Sequence, residues 1–247
     1  MPAIYGLVGH PLGHSFSAAY FADKFRRTGS DAVYLNFDLD DIAQFPALFE
    51  LHPSICGLNV TIPYKQAVIP YLASLSADAA AIGAVNVIKP VHTERGLRLL
   101  GHNSDHIGFS RSLRPLLKPW HKAALVLGTG GASLAVHHAL HHLGVATLAV
   151  SRTPGQGRTT YDTLTPEIIA AHTLVVNTTP LGMFPKVDAC PDIPYAQLTP
   201  RHLLYDLVYN PEETLFMRRG REHGATVKNG LEMLHGQAEA AWEIWQG

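Results

Sequence analysis

Over the first hundred residues short apolar runs alternate with amphipathic stretches. Runs at residues 5–9, 33–39, 55–61, 82–88 and 97–101 predict strands, and the stretches at 17–27, 40–51 and 65–74 predict helices between them. Strands alternating with helices imply an α/β layer structure. The pattern restarts near residue 105 and becomes sharper. Residues 123–127 predict a buried strand, and Ala132, Ala135, Val136, Ala139, Leu140 and Leu143 then recur at the spacing of one helical face. Gly144 closes that helix and 145–150 predicts the next strand, completing a βαβ unit. Further parallel-type strands are predicted at 173–176, 203–208 and 225–227. A final helix over 230–246 places Leu231, Leu234, Ala238, Ala241 and Trp245 on one face.

Between the strand at 123–127 and the helix after it lies Gly128-Thr129-Gly130-Gly131-Ala132. A glycine-rich turn at a helix start leaves backbone N–H groups and the positive end of the helix dipole aimed at one spot, which suits a pyrophosphate. The spacing is not the common G-x-G-x-x-G, so the surrounding strand and helix carry the reading. About 20 residues on, where a site for NAD places a carboxylate on the ribose 2′-hydroxyl, the chain reads Ser151-Arg152-Thr153. A carboxylate would repel a 2′-phosphate, whereas Arg152 can pair with it through charge-assisted hydrogen bonds worth about 1.5–3 kcal/mol. NADP is therefore the expected cofactor.

Composition narrows the remaining classes. A formal charge of −1, with both signs scattered along 247 residues, provides no basic field for nucleic acid or an anionic membrane surface. Cys56 and Cys190 stand in unrelated contexts, unlike a disulfide framework or a zinc site, so a reducing cytoplasm is expected. The chain shows neither a leader pattern nor an apolar run of membrane-spanning length. His137, His138, His141 and His142 lie opposite the apolar stripe of their helix and read as a solvated face, not a metal site.

Four segments of the first half set hydroxyl, amide or charged groups at strand ends, where open α/β sheets hold ligands. They are His14-Ser15-Phe16-Ser17, Gly57-Leu58-Asn59-Val60-Thr61-Ile62-Pro63-Tyr64-Lys65, Ala81-Ile82-Gly83-Ala84-Val85-Asn86 and Gly101-His102-Asn103-Ser104-Asp105. Three later segments join them: Asn177-Thr178-Thr179-Pro180-Leu181-Gly182-Met183, Asp206-Leu207-Val208-Tyr209-Asn210-Pro211, and Asn229-Gly230-Leu231-Glu232-Met233-Leu234 with Gln237 after it. In this order, over nearly the whole chain, they resemble the shikimate dehydrogenase family, which also uses the glycine spacing seen here. Two features depart from the family pattern. Ser17 is followed by Ala18-Ala19-Tyr20-Phe21 where the family has proline and later His-Asn, and Ser104 replaces a threonine.

The resemblance implies an enzyme with a substrate domain at 1–105, completed by the helix at 230–247, a Rossmann-like NADP-binding domain at 106–229, and a cleft between them. It implies NADP-dependent, reversible reduction of 3-dehydroshikimate to shikimate on the route to chorismate and the aromatic amino acids. Lys65 and Asp105 are implied as the catalytic pair. Hydride delivery to a ketone leaves alkoxide character on oxygen, which an ammonium or an acid must stabilise or protonate. Ser15, Ser17 and Tyr209 are implied as carboxylate-binding groups, and Asn59, Thr61, Asn86 and Gln237 as further substrate contacts. Asn177, Thr178, Thr179, Leu207 and Gly230 are implied to join Gly128, Thr129, Gly130, Gly131, Ala132, Ser151, Arg152 and Thr153 around the cofactor. Alternatives are a quinate/shikimate enzyme using NAD as well as NADP, and a nucleotide-sensing paralogue without turnover. The expected assembly is a monomer or homodimer.

Overall fold

A computed structural model describes residues 2–13 and 16–247. The chain divides into two compact units, one formed by Met1–Ser104 with Ala238–Gly247 and the other by Asp105–Gln237. The first holds β1 (Ala3–Gly9), α1 (Phe16–Thr28), β2 (Ala32–Asp38), α2 (Ala47–Leu51), β3 (Ile55–Val60), α3 (Tyr64–Ala67), β4 (Ser74–Leu75), α4 (Ala77–Ile82), β5 (Val87–Thr93) and β6 (Gly96–His102). The second holds α5 (Asp105–Leu113), β7 (Ala123–Leu127), α6 (Gly131–His142), β8 (Ala146–Ser151), β9 (Arg158–Thr160), α7 (Pro166–Ala171), β10 (Leu174–Asn177), β11 (Leu203–Asp206), α8 (Leu215–Glu222) and β12 (Thr226–Lys228). The last helix, α9 (Leu231–Gln246), contributes to both.

The first sheet has the order β2-β1-β3-β5-β6-β4. β1 pairs in parallel with β2 and β3, whereas β5 runs antiparallel to both β3 and β6. Val8, Leu58, Val60 and Ile88 belong to the core that includes Phe45 and Val68, while Tyr5 and Val87 pack with Phe21 and Phe25 of α1 and Ala238, Ala241 and Trp245 of α9. Helices cover both faces, so the parallel strands are apolar on both sides. Trp245 is held by its indole N–H, which donates to the Ile88 carbonyl at 3.1 Å. Truncating Phe21 or Trp245 to Ala would cost about 3–5 kcal/mol.

The second sheet is wholly parallel with the order β12-β11-β10-β7-β8-β9. From β7 the chain winds outward through β8 to β9, then returns to the other side of β7 and winds through β10 to β12. That is the doubly wound arrangement, and its direction reverses between β7 and β10. Ala124, Val126, Val176 and Tyr205 face one core with Phe109 and Val136, and Leu125, Leu127 and Val175 face another with Ile169 and Phe216.

Several expectations need revising. The apolar stretch expected as a strand at 82–88 is the end of α4 followed by a connection, and β5 begins only at Val87. Pro46 interrupts the helix expected at 40–51, leaving a short 3-10 turn at Ile42–Gln44 and then α2. The helix expected at 65–74 breaks before Pro70 into α3 and a 3-10 turn at Ile69–Tyr71. On α9, Leu231 is 41% exposed and Met233 takes its place in the core. Of the four histidines on α6, His141 and His142 are exposed, but His137 and His138 are half-buried. His137 bonds Thr147 Oγ1 at 2.9 Å, and burial lowers its pKa. Among the described residues no helix is long and apolar enough to cross a membrane.

Candidate functional site

In the first unit the candidate groups gather at the ends of β3, β5 and β6. Asn86, just before β5, is 2% exposed and ties these ends together. Its amide oxygen accepts the Ser104 N–H at 2.6 Å and its Nδ2 donates to Ser104 Oγ at 3.1 Å. Its carbonyl accepts the N–H of Val60 at 2.9 Å and Nδ2 of Asn59 at 3.3 Å. Burying so many polar groups is tolerable only because each finds a partner. Ser104 supplies its hydroxyl as well as its N–H to this network. Asn103 Nδ2 donates to the Ala84 carbonyl at 3.0 Å and pins the same connection.

Tyr34 was not singled out by its sequence context, yet it links two of the candidates. Its hydroxyl donates to Asn59 Oδ1 at 2.8 Å and hydrogen-bonds the side chain of Ser17, while its ring stacks on Phe21 at 4.9 Å. Burial raises the Tyr34 pKa far above its ordinary value, so the hydroxyl stays neutral and remains a donor. Ser17 lies in the first turn of α1, and Ser15 falls outside the described residues. Thr61 follows β3, its N–H bonded to the Val8 carbonyl at 2.9 Å. Lys65 is in the short helix α3, half-buried, and its carbonyl accepts the Val85 N–H at 2.7 Å. The backbone bearing the lysine is therefore tied to the strand connection bearing Asn86.

In the second unit Asp105 opens α5 and is 5% exposed. One turn on, α5 meets α9 with almost no separation. A Cβ on Gly108 would lie 2.5 Å from the Met233 carbonyl and 2.7 Å from the Gln237 nitrogen, so only glycine fits. This contact brings the first turn of α5 and Gln237 to neighbouring positions. Tyr209, after β11, is 37% exposed, and the Gly230 N–H bonds the Val208 carbonyl at 3.1 Å, placing Gly230 beside Leu207.

The glycine-rich turn sits at the carboxyl end of β7, where the winding of the sheet reverses. Gly128 has φ +109°, and a Cβ there would lie 2.7 Å from Thr178 Oγ1 and 3.0 Å from Thr179 Cγ2 in the connection after β10. Gly130 is the N-cap of α6 and supplies no side-chain cap; its carbonyl takes the Ser133 N–H at 2.9 Å, and the N–H groups of Gly131 and Ala132 ahead of it meet no capping side chain. A Cβ on Gly130 would meet nothing within 4 Å, and Thr129 and Gly130 are exposed. Gly131 and Ala132 form the half-buried first turn of the helix. The result is an open surface free of side chains, with backbone donors at a helix start, a geometry suited to a phosphate group. At the end of β8, Ser151 is buried and bonds the Thr153 carbonyl, whereas Arg152 is exposed beside Tyr161.

Comparisons with known proteins agree with this architecture. Residues 7–88 match the family described as shikimate dehydrogenase substrate binding domain. The chain is 36% identical, over 99% of its length and 90% of the relative's, to a shikimate dehydrogenase (NADP(+)) of Desulforamulus reducens. It is 39% identical, over 99% of its length and 88% of the relative's, to the enzyme so named in Moorella thermoacetica. Among solved structures, that of shikimate 5-dehydrogenase from Thermus thermophilus, in complex with NADP(H) and shikimate, superposes with a TM-score of 0.86 at 32% identity, covering 99% of this chain and 94% of the other. Similarity of this strength along its full length makes the chain a member of the shikimate dehydrogenase family.

Proposed function

We propose that the protein is an NADP-dependent shikimate dehydrogenase, interconverting 3-dehydroshikimate and shikimate. The observation that carries this reading is the end-to-end similarity to shikimate dehydrogenases (NADP(+)), which spans the polar strand ends and the glycine turn alike.

The residues at the reversal point of the second sheet fit the cofactor. The uncapped start of α6 and the side-chain-free surface of Gly128 and Gly130 would receive its pyrophosphate, with Thr129, Gly131 and Ala132 in the same turn. Asn177, Thr178 and Thr179 would line the opposite wall, with Leu207 and Gly230 beyond them. The exposed guanidinium of Arg152, with Ser151 and Thr153, would meet a 2′-phosphate. NADP, when bound, supplies the hydride acceptor for alcohol oxidation.

Asn59, Thr61, Asn86 and Gln237 are assigned to the ring hydroxyls, and Ser15, Ser17 and Tyr209 to the carboxylate. Lys65 and Asp105 are the catalytic pair. The ammonium of Lys65 stabilises or protonates the oxygen that gains alkoxide character, and Asp105 orients it and accepts a substrate hydroxyl. The domain carrying Lys65 is assigned to the substrate and the doubly wound unit to NADP. A cytoplasmic location and a monomer or homodimer complete the proposal.

An absorbance assay of NADPH formation from shikimate tests the reading. Turnover with shikimate and NADP exceeding that with quinate or NAD is the expected outcome. Preference for quinate would move the protein to the quinate branch, and binding without turnover would make it a sensor.

A further inference from the structure

We infer that Asp206, a buried carboxylate with no part in the chemistry above, is a positioning residue that holds the second wall of the cofactor crevice in its binding shape. This inference rests on the assignment of the β10 connection to NADP.

Asp206 ends β11 and is fully buried. A buried carboxylate is retained only where donors compensate its lost hydration. Here they come from separate elements. Asn177 Nδ2, at the end of β10, donates to Oδ1 at 2.9 Å, and the Val208 N–H donates to the same oxygen at 3.0 Å. Thr214 Oγ1 donates to Oδ2 at 2.6 Å while capping α8 by accepting the Met217 N–H at 3.3 Å. One carboxylate thus ties together the ends of β10 and β11 and the start of α8.

The consequence for the crevice lies in the other face of Asn177. Because its Nδ2 is committed to Asp206, its Oδ1 must face the opposite way. There it accepts the Thr179 N–H at 3.0 Å and Thr179 Oγ1 at 2.7 Å. An amide reversed end for end would set its oxygen against the carboxylate and its NH2 against the Thr179 N–H. Thr178 Oγ1 meanwhile donates to the Leu127 carbonyl at 2.7 Å, next to Gly128. Thr178 and Thr179 are the residues a Cβ on Gly128 would strike. Asp206 therefore reaches the crevice only through the side chain of Asn177, and the Val208 bond and the Leu207 N–H to Asn177 carbonyl bond at 2.9 Å extend its hold to the connection after β11.

The test is direct titration of the purified full-length chain with NADPH, alongside thermal unfolding. Asp206→Ala is expected to weaken NADPH binding at least about 10-fold, because hydrogen bonds to a charged group are lost. Asp206→Asn retains an oxygen for Asn177 and Val208 and is expected to restore affinity to within about threefold of wild type. Should Asp206→Ala fail to fold, Asn177→Asp, which sets two carboxylates against each other, is compared with Asp206→Asn plus Asn177→Asp. Combination of the two is expected to recover most of the loss, since contacting residues are not additive. Loss of melting temperature with unchanged NADPH affinity in Asp206→Ala, or a double variant as weak as Asn177→Asp alone, overturns the inference. A wild-type chain that takes no NADPH instead overturns the functional reading beneath it.

Discussion

On the proposed assignment, the two units solve recognition with largely different materials. The first presents side chains: Asn59, Asn86 and Ser104 are fixed to one another by hydrogen bonds, and Tyr34 links Ser17 to Asn59. The second presents backbone, with the glycine turn offering N–H groups at the uncapped start of α6. A small polyhydroxylated ring differs from its rivals in where its hydroxyls point, and side chains of fixed orientation can read that. A phosphate looks alike from every direction, and bare N–H groups with a helix dipole are enough. Substitutions at Asn59, Asn86 or Lys65, and at the proposed substrate and catalytic groups Asp105, Tyr209 and Gln237 of the second unit, should therefore alter rate and substrate choice, and those around the glycine turn should alter cofactor affinity.

The largest expected break is Lys65→Ala. Loss of the proposed acid–base group should lower kcat by about 10²- to 10⁴-fold, or about 3–5 kcal/mol, with NADPH affinity unchanged. Steady-state kinetics and NADPH titration would check it, and near-normal turnover would remove Lys65 from the chemistry.

Among the side chains of the second unit, Asp206 is one that pH exposes. Burial raises the Asp206 carboxyl from 3.8 to about 6, despite the hydrogen bonds from Thr214, Val208 and Asn177. Because the folded chain holds this proton more tightly than the unfolded chain, the group favours folding below about pH 4. That contribution is lost as pH rises to about 6, and its size is about 3 kcal/mol. Denaturant unfolding at pH 4 and pH 7 should show Asp206→Asn gaining on the wild type as pH rises, by up to that amount. A gap independent of pH would contradict the raised value.

Arg152→Ala should sharpen the contrast. It is expected to weaken NADP binding by about 1.5–3 kcal/mol and leave NAD almost unaffected, as measured by parallel titrations. Smallest is Tyr34→Phe, which removes one hydroxyl and leaves the stacked ring. A rise in the KM for shikimate worth about 0.5–1.5 kcal/mol, with the KM for NADP unchanged, is the expected result. An equal rise in both would blur the division between the units.

The sequence was most readable where local pattern and global topology coincide. The strand at 123–127 and the following turn and helix match β7 and α6 to within a residue, because a buried parallel strand and a one-sided helix have distinct periods. Reading failed where short elements carried mixed signals. Ala77–Ile82 is mostly alanine, with Asp78 its one charged residue, so its period is mute. Its markers are the cap by Ser76, which accepts the Ala79 N–H at 3.2 Å, and Gly83 in the left-handed region with φ 71°. Thr165 with Pro166, and Thr214, likewise cap α7 and α8, which the hydrophobic pattern alone did not reveal. At the site, the family motifs pointed to Asn59 and Asn86, but nothing local marks Tyr34. A tyrosine within a strand looks like ordinary β propensity until the register places β2 beside β1 and its hydroxyl reaches β3.

The final helix carries a lesson for anyone treating the halves as interchangeable parts. Met233 belongs to the core of the doubly wound unit, whereas Ala238, Ala241 and Trp245 belong to the core of the mixed sheet. No single cut in the chain yields two complete modules, because α9 answers to both cores within one uninterrupted run of backbone. Recombination that imports a foreign nucleotide-binding half must therefore graft a helix whose first turns suit the newcomer and whose later turns suit the host.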